Sequence, residues 1–324
     1  MTIMRWRELP AMRASDGPPL FEPKFETRLR LRPGEKIFAV GSCFARNIER
    51  VIEHRFDVVS RPPPDSFPRP LAEADAVTAA TFWHRYNAFS IRNSLAWSLA
   101  GGPNVERLIE LEPGQYVDAY TGCRLPLRLE AARELYRWTD SIFARAFHSR
   151  IVIVTLGLAE VWHDNASGIF MNIPPSLPMW TKYPGRFSHR VTGAGETLQQ
   201  LEEISTILRT HGPADQQIIV SVSPIPLNAT FREVDVAVAN AASKAILRAA
   251  VEEWVARHPH IHYFPSYEIV LCSDPRRVWM DDFRHVTPEI IGHIGKLFLR
   301  KFAGAEAGAG ASKTASSGSD LARP

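Results

Sequence analysis

The chain of 324 residues is long enough for one large domain or two ordinary ones. Hydrophobic residues make up 45% of it and charged residues 23%, which excludes the compositions of disordered chains, collagen and coiled coils. Lys and Arg number 38 against 35 Asp and Glu, and a net charge of +3 does not indicate a nucleic-acid-binding protein. Such a charge suits an uncharged or mixed substrate better than a polyanion.

The cysteines and the beginning of the chain bear on its compartment. Cys43, Cys123 and Cys272 show neither C-x-x-C nor zinc-finger spacing, so we expect no disulfide framework and no structural zinc site. Residues 1–22 contain no apolar stretch of signal-peptide length, and no run of 18 apolar residues occurs. We therefore expect a cytoplasmic protein without a membrane span.

Short apolar runs closed by small or turn residues predict five strands. Three of the runs are continuously hydrophobic, which is typical of strands buried on both faces of a parallel sheet. The predicted strands are residues 36–42, 57–60, 150–157, 217–224 and 261–270.

Helical patterns lie between these runs. After Ser42, apolar Phe44, Ile48, Val51 and Ile52 recur at helical spacing, which predicts a strand, a tight turn and an amphipathic helix. Strands that alternate with helices indicate a three-layer α/β/α sandwich on a mainly parallel sheet.

Two pairs of residues mark the beginnings of later helices. Thr230 and Glu233 form a T-x-x-E capping box that predicts a helix running to residue 257, and Thr287 with Pro288 predicts the start of the last helix, which ends near residue 302. The remaining predicted helices are residues 79–99, 129–147 and 195–210.

The predicted elements favour one domain with two flanking segments. We expect an N-terminal extension over residues 1–30, a single domain over 31–302 and a disordered tail over 303–324, which is rich in Gly, Ala and Ser. Residues 62–71 and 174–185 are rich in Pro and predict loops, either walls of a binding site or simple connectors.

Ser42 is a candidate nucleophile at the end of the first strand. Its hydroxyl would lie on a sharp turn at the positive end of a helix, a place that favours a developing oxyanion. The alternative is an ordinary helix N-cap, which serine often provides. Cys43 is an alternative nucleophile, but a side chain one position along faces elsewhere.

Asp282 and His285 form a D-x-x-H arrangement before the last helix. A hydroxyl nucleophile needs a base, and a histidine oriented by a carboxylate supplies one. The alternative is a surface loop with solvated charges.

The stretch G-S-C-F-A at residues 41–45, together with later segments, resembles the GSCFA domain family, which belongs with the SGNH hydrolases. The resemblance implies a flavodoxin-like SGNH fold with Ser42 as nucleophile, His285 as general base and Asp282 as its orienting partner. The later segments are TLGLAEVW at 155–162, SVSPIPLNATF at 221–231, VANAASKAILR at 238–248, YFPSYEIV at 263–270 and DDFRHV at 281–286.

The chain departs from the SGNH pattern at two positions. Gly41 replaces the usual Asp before the nucleophile, and Ala159 stands where the Asn of the oxyanion hole is usual. We expect the N–H groups of Ser42 and Cys43 to serve as oxyanion donors, with the Asn87 amide as the replacement for the missing one. A helix cap is the alternative role for Asn87.

Three further residues are candidates for substrate binding. Gly157 and Glu160 follow the third predicted strand, and Trp162 is an aromatic residue that stacks on sugar rings or packs in the core. Glu160 would bind a sugar hydroxyl or form an ion pair with an arginine such as Arg186.

No cofactor is expected. The chain contains neither a Walker A motif nor G-x-G-x-x-G, and the alternating His258, His260 and His262 favour an exposed turn over a metal site.

The leading hypothesis is a serine esterase that removes an O-acyl group from a carbohydrate through an acyl-enzyme on Ser42. One alternative is an O-acyltransferase that passes the same acyl group to a sugar hydroxyl. The other is a non-catalytic glycan-binding module on the same fold. We expect a small-molecule or glycan ester as the partner, and the sequence leaves the oligomeric state open.

Overall fold

The structure is a computed structural model that describes residues 20–75, 81–100, 107–120 and 125–304. The strands in chain order are β1 (Lys36–Gly41), β2 (Asp57–Val58), β3 (Leu108–Glu112), β4 (Gln115–Asp118), β5 (Ile151–Leu156), β6 (Glu160–Asp164), β7 (Ile169–Met171), β8 (Phe187–Val191), β9 (Gln217–Val222) and β10 (Ile261–Tyr263). The helices are α1 (Cys43–Ile52), α2 (Arg69–Ala72), α3 (Ala88–Leu99), α4 (Leu129–Ala144), α5 (Leu177–Lys182), α6 (Ala194–His211), α7 (Val236–Arg257), α8 (Ser266–Leu271), α9 (Pro275–Val278) and α10 (Pro288–Ala303).

The central sheet has the strand order β10-β9-β5-β1-β2, and every pairing in it is parallel. All five strands lie within the five runs that the sequence predicts as strands. Ile37 and Ala39 of β1 pack in the core on one face, and Phe38 and Val40 pack in the core on the other. Burial on both faces explains why these strands are continuously hydrophobic.

Helices cover both faces of this sheet. α1, α8, α9 and α10 pack on one face, and α3, α4, α6 and α7 pack on the other. The predicted three-layer α/β/α sandwich is therefore confirmed. Within the described residues, no helix combines the length and apolar character needed to cross a membrane.

The predicted capping box at Thr230 and Glu233 is wrong. Helix α7 begins at Val236, and the Asp235 side chain accepts the N–H of Ala237 at 2.7 Å as its N-cap. Thr230 Oγ1 accepts the nearby N–H of Arg232 at 3.2 Å, but residues 231–235 are not helical, so this contact caps no helix.

Two other predicted elements are shorter than expected. The strand predicted over 261–270 ends at Tyr263, because Pro265 has no N–H to give to a ladder, and α8 follows it. Helix α3 begins at Ala88 rather than near residue 79, and residues 76–80 lie outside the described part of the chain.

The segment before β1 packs on the domain. Leu29 and Leu31 are buried in the core beneath α10, and the Leu31 N–H donates to the carbonyl of Phe302 at 2.8 Å. The later part of the predicted N-terminal extension thus contributes to the core. Residues 1–19 and most of the predicted tail, residues 305–324, lie outside the described residues.

A small antiparallel sheet stands beside the carboxyl end of the central sheet. Its strand order is β7-β6-β8, and only three residues, 157–159, separate the end of β5 from the start of β6. β3 and β4 form a separate hairpin. The short connection from β5 to β6 brings Glu160 and Trp162 to the end of the sheet where Ser42 lies.

The crossing of α1 and α10 offers a matched pair of substitutions. A Cβ added at Gly295 would overlap Cγ1 of Val51, a stiff β-branched side chain, whereas nothing lies within 4 Å of a Cβ added at Gly292. We expect Gly295→Ala to lower the free energy of unfolding by about 1–3 kcal/mol through overpacking. Gly292→Ala should raise it by about 0.5–1 kcal/mol, because alanine is the better helix former.

Urea denaturation of the two variants measures this difference. If both substitutions stabilised the protein equally, the close approach of the two helices at Gly295 would be contradicted.

Candidate functional site

A cleft of about 420 Å³ opens at the carboxyl ends of β1, β5 and β9. Ligands of parallel α/β sheets bind at that edge, and the volume is typical of small-molecule sites. Five of the residues chosen from the sequence line the cleft: Ser42, Cys43, Gly157, Glu160 and Trp162. The fold therefore brings together candidates that lie far apart in the sequence.

Ser42 lies on the turn between β1 and α1. Gly41 has a φ of +152°, and a Cβ at that position would lie 2.5 Å from the Thr155 carbonyl oxygen, so only glycine fits there. The Ser42 hydroxyl accepts the Phe44 N–H at 3.4 Å as the N-cap of α1 and donates to Ser223 Oγ at 3.2 Å. The N-cap role and a place in the cleft are thus combined in one side chain.

Ser223, which sequence reasoning missed, follows β9 and lines the cleft. Its Oγ also accepts the Ile225 N–H at 3.3 Å, which fixes the hydroxyl that receives the Ser42 hydrogen bond.

Asp282 and His285 form a hydrogen-bonded pair in the loop before α10. Asp282 Oδ2 lies 2.5 Å from His285 Nδ1, while Oδ1 accepts the N–H groups of Arg284 and His285. The hydrogen bond from the His285 side chain, together with these N–H groups, lowers the pKa of Asp282 below its usual range. Phe283 within the loop has a φ of 51°, which turns the chain between the two partners.

The expected contact between serine and histidine is not formed. No hydrogen bond joins the described residues Ser42 and His285, and neither Asp282 nor His285 lines the cleft. Arg284, which sequence reasoning also missed, does line it. The structure therefore forms the Asp–His pair of the expected triad beside the cleft, with the arginine of the same loop inside it.

Glu160 is held by two residues that lie far from it in the sequence. Its carboxylate accepts the Thr230 hydroxyl at 2.8 Å, and His189 Nε2 lies 3.3 Å from it. Arg186, the ion-pair partner suggested from the sequence, binds Asp164 instead at 2.7 Å. The Glu160 side chain is thus oriented at the cleft wall.

Aromatic rings form the wall next to Glu160. The Trp162 ring stands edge-to-face with Phe231 at 4.8 Å between centroids and with Trp180 at 5.5 Å. Trp162 is buried, whereas Phe231 is 54% exposed and lines the cleft. Such a wall offers apolar and stacking contacts to a ligand.

The GSCFA family model matches residues 36–298 of the chain. The protein belongs to the GSCFA family. The match runs from the first residue of β1 into α10 and includes every cleft residue named above. A comparison with curated proteins finds no match.

Asn87 of this GSCFA domain does not reach the cleft. Its Oδ1 accepts the Ser90 N–H at 2.8 Å as the N-cap of α3, and its Nδ2 donates to the Met171 carbonyl at 3.1 Å. Both ends of the amide are engaged by backbone groups, so the expected oxyanion role is corrected to a helix cap.

Gly157 lies where the chain leaves β5, close to the backbone of Tyr86. The Gly157 N–H donates to the Tyr86 carbonyl at 2.9 Å, and an added Cβ would lie 3.1 Å from the same oxygen. The Gly157 N–H is therefore not available to an oxyanion. The N–H groups of Ser42 and Cys43 remain the predicted oxyanion donors of the GSCFA domain.

Lys244 is a buried lysine beneath the cleft that sequence reasoning missed. Its Nζ donates to the carbonyls of Gly157 at 2.9 Å and Ile225 at 2.8 Å, one in each of the loops that follow β5 and β9. Burial lowers the pKa of Lys244 to about 7. Its spacing from buried Leu247 and Val251 on one helical face is the signal that could have revealed it.

Two neighbours on α7 hold the same loops. Ser243 Oγ accepts the Ala159 N–H at 2.9 Å, and Asn240 Oδ1 accepts the Leu227 N–H at 3.1 Å. With Lys244 these residues form a polar strip on α7 that fixes two walls of the cleft.

The cysteines offer neither a reactive thiolate in the cleft nor a disulfide among the described residues. Burial raises the pKa of Cys43, which disfavours its thiolate. Cys43 and Cys272 are free thiols, and Cys123 lies outside the described residues. In the described part of the chain, no group of three or more His, Cys, Asp or Glu side chains is arranged to hold a metal ion.

Proposed function

We propose that this GSCFA protein is a serine hydrolase of the SGNH type that removes an O-acyl group from a carbohydrate. The observation that carries the proposal is the position of the Ser42 hydroxyl, on a glycine-dependent turn at the positive end of α1 and in the wall of the cleft. The positive end of a helix stabilises the negative charge that develops on the acyl oxygen when such a nucleophile attacks.

In the proposed reaction, Ser42 Oγ attacks the acyl carbon while His285 accepts its proton. The bond between the acyl carbon and the sugar oxygen then breaks, and that oxygen takes the proton from His285. Water attacks the acyl-enzyme by the same route and releases the acid. Asp282 orients the imidazole through Nδ1, which leaves Nε2 for the proton.

This mechanism requires the loop of Asp282 and His285 to move His285 towards Ser42. Catalytic hydrogen bonds often form only in the complex with substrate, and the His285 side chain is 49% exposed on its loop. The hydrogen bond from Ser42 to Ser223 orients the hydroxyl until the base arrives.

Covalent labelling with a fluorophosphonate tests the nucleophile. We expect the reagent to form a bond from Ser42 Oγ to phosphorus with loss of fluoride, located by peptide mass spectrometry. Labelling should vanish in Ser42→Ala, persist in the matched variant Ser223→Ala, and slow by about a hundredfold or more in His285→Ala. Labelling of Ser42→Ala at the rate of the unmodified protein would contradict the assignment.

The transferase alternative uses the same acyl-enzyme and differs only in the acceptor. Product analysis with an acetyl ester and added sugar separates the two, because only the transferase forms an acylated sugar.

A glycan-binding module without catalysis is favoured by one observation, the absence of a hydrogen bond between the described residues Ser42 and His285. Calorimetric binding of a glycan that is unchanged in Ser42→Ala, with no turnover of any ester, would support that alternative.

A further inference from the structure

Arg284 is the only residue of the D-x-x-H stretch 282–285 that lines the cleft. Its Nε is buried, yet no hydrogen-bond partner for that atom lies within the described ranges. Nor does a carboxylate of the described residues come within ion-pair distance of this guanidinium. A buried donor without an acceptor is costly, and because Arg284 lies at the cleft wall a ligand can supply the missing acceptor.

Two other arginines of the domain show the usual pairing with a carboxylate. Arg186 binds Asp164 at 2.7 Å, and Arg107 lies 3.2 Å from Asp118 and 3.1 Å from Asp140. Within the described residues, Arg284 makes no ion pair of this kind.

The part of the cleft near Cys43 carries positive charge from a second side. Burial raises the pKa of the Cys43 thiol, and the charge of Arg284 opposes this rise, as does that of Lys244 when its amine is protonated, below about pH 7. Lys244 is hydrogen-bonded to the carbonyls of Gly157 and Ile225 and not to a carboxylate. The N-terminus of the ten-residue helix α1 adds to the same positive potential.

Glu160 does not neutralise this charge by contact. It is the one carboxylate among the described residues that line the cleft, and its oxygens are occupied by the Thr230 hydroxyl and by His189. An acidic group that enters the cleft would therefore find Arg284 available.

We propose that Arg284 binds a carboxylate of the substrate, so that the ester cleaved at Ser42 belongs to an acidic sugar. The planar guanidinium presents a fork of N–H donors that matches a carboxylate bidentately. The inference rests on the proposed function for the reaction, but the recognition of the carboxylate is independent of turnover. The near-neutral total charge of the protein does not oppose it, because the relevant charge is local.

Kinetics with a matched pair of esters tests the proposal. The substrates are the acetyl esters of methyl glucuronoside and of methyl glucoside, which differ in the carboxylate. We expect a lower KM for the acidic ester, and Arg284→Gln should raise that KM by about 10- to 100-fold more than it raises the KM of the neutral ester. The KM of Arg284→Lys for the acidic ester should lie between those of the unmodified protein and Arg284→Gln, because lysine keeps the charge but lacks the fork of N–H donors.

Arg277→Gln is the matched control. It removes the same charge from the same segment, but Arg277 pairs with Glu289 on the surface and does not line the cleft. If Arg277→Gln and Arg284→Gln raised the KM of the acidic ester equally, the effect would come from the total charge of the protein, and the proposal would be overturned. A fall in kcat for both esters in Arg284→Gln would also overturn it, since Arg284 would then act on the oxyanion.

Binding without turnover separates this proposal from the proposed function. Saturation-transfer NMR with Ser42→Ala should detect methyl glucuronoside in preference to methyl glucoside, and the preference should disappear when Arg284→Gln is added. Equal binding of the two glycosides would overturn the acidic-sugar proposal even if the esterase is real. A preference that depends on Arg284, without turnover of either ester, would support the recognition site and contradict the esterase.

Discussion

Gly41→Ala is expected to lower the free energy of unfolding by roughly 2–6 kcal/mol and to abolish labelling at Ser42. An added Cβ would lie 2.5 Å from the carbonyl oxygen and 2.7 Å from Cβ of Thr155, the partner of Gly41 in the β1–β5 ladder. Neither atom can move away without breaking the centre of the sheet. Residue 41 also has a φ of +152°, which side chains rarely adopt.

Gly114→Ala is the matched control for Gly41→Ala. Gly114 also has a positive φ, 73°, but nothing lies within 4 Å of a Cβ added there. Gly114→Ala should therefore lower the free energy of unfolding by about 1–2 kcal/mol, from backbone strain alone. Urea denaturation compares the two variants, and equal losses would show that the contact with Thr155 is not limiting.

Lys244→Met is expected to lower the free energy of unfolding by about 2–5 kcal/mol and to remove the proposed activity. The substitution keeps most of the apolar stem but leaves the buried carbonyls of Gly157 and Ile225 without their donor. The loops that carry those carbonyls line the cleft, so the loss should reach the site as well as the stability.

Lys182→Met serves as the control, since Lys182 also donates to a carbonyl, that of Leu111, but at an exposed position. It should change the free energy of unfolding by about 0.5 kcal/mol or less. A similar effect at both positions would contradict the role assigned to Lys244.

The stability conferred by Lys244 should depend on pH with a defined sign. Its pKa is lowered by burial to about 7, against the usual 10.5 of the unfolded chain. Between these values the unfolded chain holds a proton that the folded protein lacks, so the free energy of unfolding rises with pH. Below pH 7 the residue is protonated in both states and contributes no slope.

The measurement is the difference between the unmodified protein and Lys244→Met at pH 7 and pH 9. A difference that stays constant over this range would mean that Lys244 remains charged in the folded protein.

Local patterns fix the elements that frame the site. Thr287 and Pro288 start the last helix as predicted, because the Thr287 hydroxyl and the Ile290 N–H that donates to it lie within one turn. The T-x-x-E pattern at Thr230 fails because the helix begins only at Val236, with Asp235 as its cap, while Thr230 donates its hydroxyl to Glu160, 70 residues away. The oxyanion role expected for Asn87 is wrong for a local reason, because its side-chain amide caps α3 instead of facing a ligand.

The sequence by itself determined the parallel sheet, since strands buried on both faces must be continuously apolar, and it determined the turn at Ser42, since glycine, serine and an amphipathic helix are adjacent there. Tertiary structure alone decided that Arg284 rather than His285 lines the cleft and that Lys244 supports its floor. Hydrophobic periodicity and caps act between residues within a few positions of each other. The partners of a buried charge come from loops tens of residues apart, and only packing determines which of them meet.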